Sequence, residues 1–323
     1  MERVILHCDA NSYYASVECL YTPSICQKPV TVCGEAEARH GIVLTKNQIA
    51  KQYGIQTGEA IWQVKQKCPD LICVPSDYAL YIRFSEKMRK IYEQYSNRVE
   101  SFGLDEVWID VSNPGVNLRE GERIAYEIRK SIKRELGITV SVGVFFNKIF
   151  AKLGSDMRKP DAVTVIPPDT FREKIWPLPV DALLFVGPAT RRKLANMYVY
   201  TIGELASFSP ELLRYRLGKN GVYLQAYVNG LDRSPVMPVE FHTAIQSVGN
   251  SATPRPARHG RRALHLYAAR RIRSGAAEGG RSASTLRQHQ CAHHGAIHQL
   301  PSENPRARYQ PDRRNHADGH DTL

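Results

Sequence analysis

No apolar run in this chain approaches the ~20 residues that a membrane-spanning helix requires. No charged-then-apolar leader precedes the first strand-like segment, so no signal peptide is expected. Seven cysteines, an odd number, show no Cys-x-x-Cys spacing, and Cys8, Cys33 and Cys73 sit in apolar contexts. They read as reduced, packed thiols of a cytoplasmic protein. Residues 254–323 lack Val, Phe and Lys altogether and hold only seven Leu or Ile, beside 13 Arg. So little apolar surface does not offset the entropy of ordering, and the tail is read as disordered.

What is present begins with charge. The net charge is +12, which suggests a polyanionic partner, but residues 254–323 carry +8 of it. The remainder, with 31 basic and 27 acidic residues, is only mildly basic.

Two acidic sites then stand out. Asp9 ends the apolar run Val4-Ile5-Leu6-His7-Cys8, and Asp105-Glu106 opens Val107-Trp108-Ile109-Asp110-Val111. Carboxylates at the tips of buried strands are costly to desolvate unless a positive group lies between them. Magnesium takes oxygen ligands, commonly one or two carboxylates plus substrate phosphates. Each stretch alone would equally fit a loop start or a solvated turn. Their convergence depends on topology.

Residues 3–9 read as a strand and 78–96 as a helix. Residues 99–101 and 106–111 flank the Gly103-Leu104-Asp105 turn as a hairpin. Asn117 caps a helix with Ile124, Ile128, Ile132 and Leu136 at four-residue spacing, closed by Gly137, and 139–145 alternates as a strand. The order β-α-β-β-α-β is a split βαβ of ferredoxin type within an α+β chain. Its third strand lies between the first two, which brings Asp9 and Asp105-Glu106 to one edge. Asp110 reads as structural or solvent-facing. Residues 10–77 form an insertion of small strands and a helix. Residues 170–230 are helical, and Val186-Gly187-Pro188-Ala189-Thr190-Arg191 resembles a helix-hairpin-helix turn suited to a nucleic-acid phosphate. Two packed helices joined by a glycine turn would look similar.

With these pieces together, the chain resembles the Y-family translesion DNA polymerases of the UmuC/DinB group. The matching motifs are His7-Cys8-Asp9-Ala10-Asn11-Ser12-Tyr13-Tyr14, Phe102-Gly103-Leu104-Asp105-Glu106-Val107-Trp108, and Ser141-Val142-Gly143 through Arg158-Lys159-Pro160. The resemblance implies a palm (1–10 and 76–166), fingers (11–75), a thumb with helix-hairpin-helix (167–231) and a linker to a little finger (232–252). It implies that Asp9, Asp105 and Glu106, with the Ala10 carbonyl, bind two Mg²⁺ ions. Tyr13, Tyr14, Thr45, Lys51 and Lys159 would contact the incoming dNTP, and Gly187, Ala189, Thr190 and Arg191 primer-template DNA. Tyr14 falls at the steric-gate position, though a plain core aromatic is the alternative. Lys51 stands where many relatives carry Arg, and a lysine orients a triphosphate less rigidly. Ser12 and Gly103-Leu104 also depart from the usual pattern without removing a needed charge. A monomer is expected, no membrane partner is implied, and a sliding clamp follows from the resemblance alone.

After about Ala252 the pattern breaks. The β-rich little finger of relatives is replaced by the Arg/His/Ala-rich stretch 253–323. Degenerate back-translation of residues 287–297, read one base later, permits an alternating, strand-like string. An out-of-frame or truncated C-terminus is therefore expected. It would make the apparent zinc cluster Cys291, His293, His294 and His298 accidental, and likewise the Arg run. Two other readings stand beside the polymerase. One is a weak or inactive DNA-binding homologue lacking its little finger. The other is an aspartate-nucleophile phosphatase, disfavoured because Asn11 replaces the second aspartate such enzymes use.

Overall fold

A computed structural model describes residues 3–34 and 41–241. The tail and the end of the linker lie outside the described residues. The chain opens with β1 (Ile5–Ala10), α1 (Tyr13–Tyr21), β2 (Val30–Cys33), β3 (Val43–Lys46), α2 (Gln48–Gln52), α3 (Ile61–Lys67) and β4 (Ile72–Pro75). Next come α4 (Tyr78–Tyr92), β5 (Val99–Ser101), β6 (Glu106–Asp110), α5 (Leu118–Leu136), β7 (Val140–Phe145), α6 (Lys148–Met157) and β8 (Val163–Val165). The rest is helical: α7 (Phe171–Ile175), α8 (Pro188–Ala195), α9 (Ile202–Ala206), α10 (Pro210–Leu217) and α11 (Lys219–Val228).

The larger sheet has the order β5-β6-β1-β7-β8. β6 runs antiparallel to both β1 and β5, so β1 and β5 are parallel with the later strand between them. This is the split βαβ arrangement that the sequence order implies, extended by β8 alongside β7. A smaller sheet, β3-β2-β4, encloses its own core of Val43, Ala50, Ile55, Val64 and Leu71.

Alternation sorts the larger sheet into two faces. Leu6, Cys8, Val107, Ile109, Val140, Val142 and Val144 join Leu80, Phe84 and Met88 of α4 and Ile128 and Ile132 of α5 in one core. Each isoleucine so buried contributes roughly 1.5–3 kcal/mol. Asn117 caps α5 through the Glu120 amide, and Gly137 closes it at φ 71°, where a side chain would strain the backbone.

The other face carries Ile5, His7 and Asp9. In register they face Asp110, Trp108 and Glu106 of β6, and Phe145, Gly143 and Ser141 of β7. Here α6 lies against the strands. Gly143 permits it: a Cβ there would collide with the Ala151 carbonyl and stand 2.5 Å from Ser155 N. Ile149, Phe150 and Leu153 then continue a core that reaches Phe171, Ile175, Leu194, Ile202 and Leu213 in the helical region.

Three local expectations change. The helix expected over 78–96 ends at Tyr92; the Ser96 hydroxyl donates to Asp110 O and accepts from Arg98 N, turning the chain there. Where one helix was expected in the insertion there are three, of which α2 and α3 are too short to display a period. The strand 106–111 stops at Asp110, whose Oδ1 accepts from Ser112 N at 2.9 Å. No helix among the described residues is long and apolar enough to cross a membrane. The six cysteines among them are free.

Candidate catalytic site

Asp9 and Glu106 are cross-strand partners, and the Ala10 amide donates to the Asp105 carbonyl at 3.0 Å. Three acids from remote segments thus meet at one sheet edge. Asp9 is buried, while Asp105 and Glu106 are partly exposed. Burial, then the neighbouring Glu106 and Asp9 charges, push the Asp105 carboxyl up to about 7.

The third segment is α6, which supplies the compensating charge. Lys152 Nζ lies 3.0 Å from Asp9 Oδ2 and 3.0 Å from Glu106 Oε1. Burial opposes its charge, but Asp9, Glu106 and Asp156 outweigh burial and hold it protonated above the usual lysine range. Lys159, just beyond the helix, reaches Asp9 Oδ2 at 2.7 Å. Asp156 pairs with both lysines, at 3.2 and 2.8 Å.

Beneath these charges lies His7, wholly buried, with Nδ1 2.8 Å from Ser155 Oγ and the ring edge-on to Trp108. Burial pulls its pKa down to about 3, so the ring is neutral. Sequence reasoning missed His7, Lys152 and Asp156. The spacing of Lys152 and Asp156, one helical turn apart within the third motif, was the available signal.

The residues expected to contact a nucleotide divide by location. The Tyr14 ring stacks on Tyr81, centroids 4.2 Å apart and planes within 11°, and meets Tyr78 edge-on. Tyr13 is buried and donates its hydroxyl to the Tyr81 carbonyl at 2.6 Å. Thr45 lies on β3, opposite Val32. Lys51, on the exposed side of α2, has its pKa lowered by burial and by the Lys46 and Lys159 charges, with Asp9 opposing. Lys51 thus lies within reach of two further ammoniums, Lys46 and Lys159, and the region is suited to an anion. Lys46 was also missed from sequence.

Asn11 ties this region together. Its side-chain carbonyl accepts from Asp161 N at 2.8 Å and Thr139 Oγ1 at 3.0 Å, and its amide donates to Ser141 Oγ at 2.9 Å. The turn after Lys159 is thereby fixed to the end of β1. The hairpin residues sit apart: Gly187 is the N-cap of α8, Ala189 and Thr190 lie in its first turn, and Arg191 pairs with Asp181 at 3.1 Å.

An all-oxygen set of mutually repelling carboxylates fits a hard divalent cation. Among the described residues no three His, Cys, Asp or Glu side chains already surround one point. Lys152 instead draws Asp9 and Glu106 together.

Residues 8–156 match the family model described as IMS, the impB/mucB/samB family. Over those residues the chain is similar to this family, and its sheet order and acidic edge agree with the Y-family DNA polymerase structures it aligns with. Among curated relatives, DNA polymerase IV of Acetivibrio thermocellus is 58% identical over 253 residues, covering 78% of this chain and 63% of that protein. DNA polymerase IV 1 of Bacillus subtilis is 38% identical over 251 residues, covering 78% of this chain and 60% of its own length. The chain therefore spans a little under two thirds of these relatives. Among solved structures, DinB from Sulfolobus solfataricus aligns with a TM-score of 0.67 at 28% identity, over 72% of this chain and 69% of that one. An insertion ternary complex of Dbh DNA polymerase aligns with a TM-score of 0.68 over the same shares.

Proposed function

We propose that this chain is a DNA-directed DNA polymerase of the translesion type, acting in DNA damage tolerance. The primer 3′-hydroxyl gives up its proton to water, its oxygen bonds to the α-phosphorus of a dNTP, the α–β bridging P–O bond breaks, and pyrophosphate leaves. The observation that carries this reading is the meeting of Asp9, Asp105 and Glu106 at one edge, beside the lysine group of Lys46, Lys51 and Lys159.

The larger sheet with α4, α5 and α6 corresponds to the palm (1–10 and 76–166), the small sheet to the fingers (11–75), and the helical region to the thumb (167–231). Asp9, the Ala10 carbonyl, Asp105 and Glu106 would hold two Mg²⁺, which when bound supply Lewis-acid stabilisation of the attacking and leaving oxygens. Lys159 and Lys51 are assigned to balancing triphosphate charge, and Tyr13 and Thr45 to further contacts with the same nucleotide. Tyr14, backed by Tyr81, closes the space below the sugar against a 2′-hydroxyl. The amides of Gly187, Ala189 and Thr190, with Arg191, meet a phosphate of the primer-template duplex without reading sequence.

Primer extension by the full chain, with a gel shift on the same DNA, tests the reading. Nucleotide addition that Asp105→Ala and Glu106→Ala abolish supports a polymerase. DNA binding with no extension at high protein concentration supports instead an inactive DNA-binding homologue.

A further inference from the structure

Two buried polar atoms face each other under the acidic edge. His7 Nε2 lies 3.5 Å from Glu106 Oε2, and neither atom has a hydrogen-bond partner. With bare lone pairs on both, that contact is repulsive. A single hydrogen on Nε2 turns the contact from repulsive to attractive, an electrostatic contact at 3.5 Å that is longer than an ordinary hydrogen bond.

The hydrogen is available without charging the ring. Ser155 Oγ has one proton and two acceptors within reach: the Lys152 carbonyl at 2.7 Å and His7 Nδ1 at 2.8 Å. If the hydroxyl donates to Lys152, the ring hydrogen must sit on Nδ1 and Nε2 faces the carboxylate bare. If it donates to Nδ1, the ring hydrogen sits on Nε2 and points at Glu106. The Lys152 carbonyl loses little by this choice, because a carbonyl inside α6 keeps its helical partner. Only the second arrangement leaves no acceptor facing an acceptor.

We infer that His7 is a positioning residue: an Nε2-protonated imidazole, backed by Ser155, that faces and steadies Glu106 Oε2. The other carboxylate oxygen, Oε1, is thereby turned toward Lys152. The ring is fixed for this task by its register opposite Gly143 and Trp108 and by its edge contact with the indole. The inference deepens the proposed role of Glu106 as a metal ligand and, for its functional consequence, rests on that role. Partners of a ligating carboxylate set its orientation, and losing one weakens metal binding about 10–100-fold.

The tautomer is read directly by ¹⁵N NMR of the full chain labelled at histidine, with the His7 signals assigned by their loss in His7→Gln. A protonated Nε2 and an unprotonated Nδ1 are expected; a protonated Nδ1 overturns the inference. Mn²⁺ binding followed by EPR, and the Mg²⁺ dependence of primer extension, read the consequence. His7→Phe should weaken ion binding and raise the Mg²⁺ requirement about tenfold, whereas His7→Gln, which keeps an N–H donor, should stay within about threefold of wild type. Wild-type ion binding in His7→Phe overturns the positioning role. If wild type shows the Nε2-protonated ring but neither binds Mn²⁺ nor extends primers, the polymerase reading fails while the His7–Glu106 contact stands.

Discussion

Asp9 and Glu106 stand opposite each other in the β1–β6 ladder, and one ammonium, Lys152 Nζ, lies 3.0 Å from an oxygen of each. This lysine holds the two neighbouring carboxylates in place. Lys152→Met should therefore destabilise the protein, but by less than the about 3–5 kcal/mol of a fully unpaired buried charge, because Lys159 still meets Asp9 and Glu106 is partly exposed. Added Mg²⁺ should raise the melting temperature of the variant more than that of wild type. An equal rise in both would mean that Lys152 and the ions do not serve the same carboxylates.

The stacking of Tyr14 on Tyr81 holds the proposed gate ring flat. Tyr14→Ala should raise ribonucleotide relative to deoxyribonucleotide incorporation by about 10–200-fold, the range that small steric differences in a pocket produce. Single-nucleotide incorporation with matched rNTP and dNTP measures it. An unchanged ratio would make Tyr14 a core aromatic only.

Gly143 and α6 make a prediction about stability. Gly143→Ala forces a methyl group into the helix backbone and should cost about 1–3 kcal/mol or more, because the obstructing atoms are main-chain atoms. Gly187→Ala, where nothing lies within 4 Å of the added carbon, is the control and should unfold near the wild-type midpoint. Equal shifts in denaturant midpoint would contradict the close approach of α6 to β7.

These two regions also show what the sequence made legible. Alternation over β1 and β6, together with the handedness of βαβ units, placed Asp9 beside Glu106 before any coordinates. The four-residue spacing in α5 and its Asn117 and Gly137 ends were equally readable. Lys152 was legible only through its one-turn spacing from Asp156; its direction depends on α6 lying against Gly143, which that spacing does not reveal. His7 looked like one more residue of a buried strand, since its partner Ser155 lies far along the chain. The short helices α2 and α3 were hidden because a five- or seven-residue helix spans too few turns to reveal a period.

The composition change after Ala252 yields a prediction that needs no protein. The encoding DNA, read one base later from about codons 252–257, should give alternating strand-like segments in place of the Arg/His/Ala-rich stretch. Stop codons in that frame, or no alternation, would refute a frame slip and return the tail to the protein's own design.

The central claim is that Asp9, Asp105 and Glu106 serve a divalent-ion-dependent nucleotidyl transfer. Its most direct test strips the full chain of divalent ions, restores Mg²⁺ in the presence of primer-template DNA and dNTPs, and counts pyrophosphate against nucleotides added. No reaction is expected without the ion, and one pyrophosphate per nucleotide is expected on its return in wild type but not in Asp105→Ala. Nucleotide addition that survives either ion removal or the loss of Asp105 would contradict it.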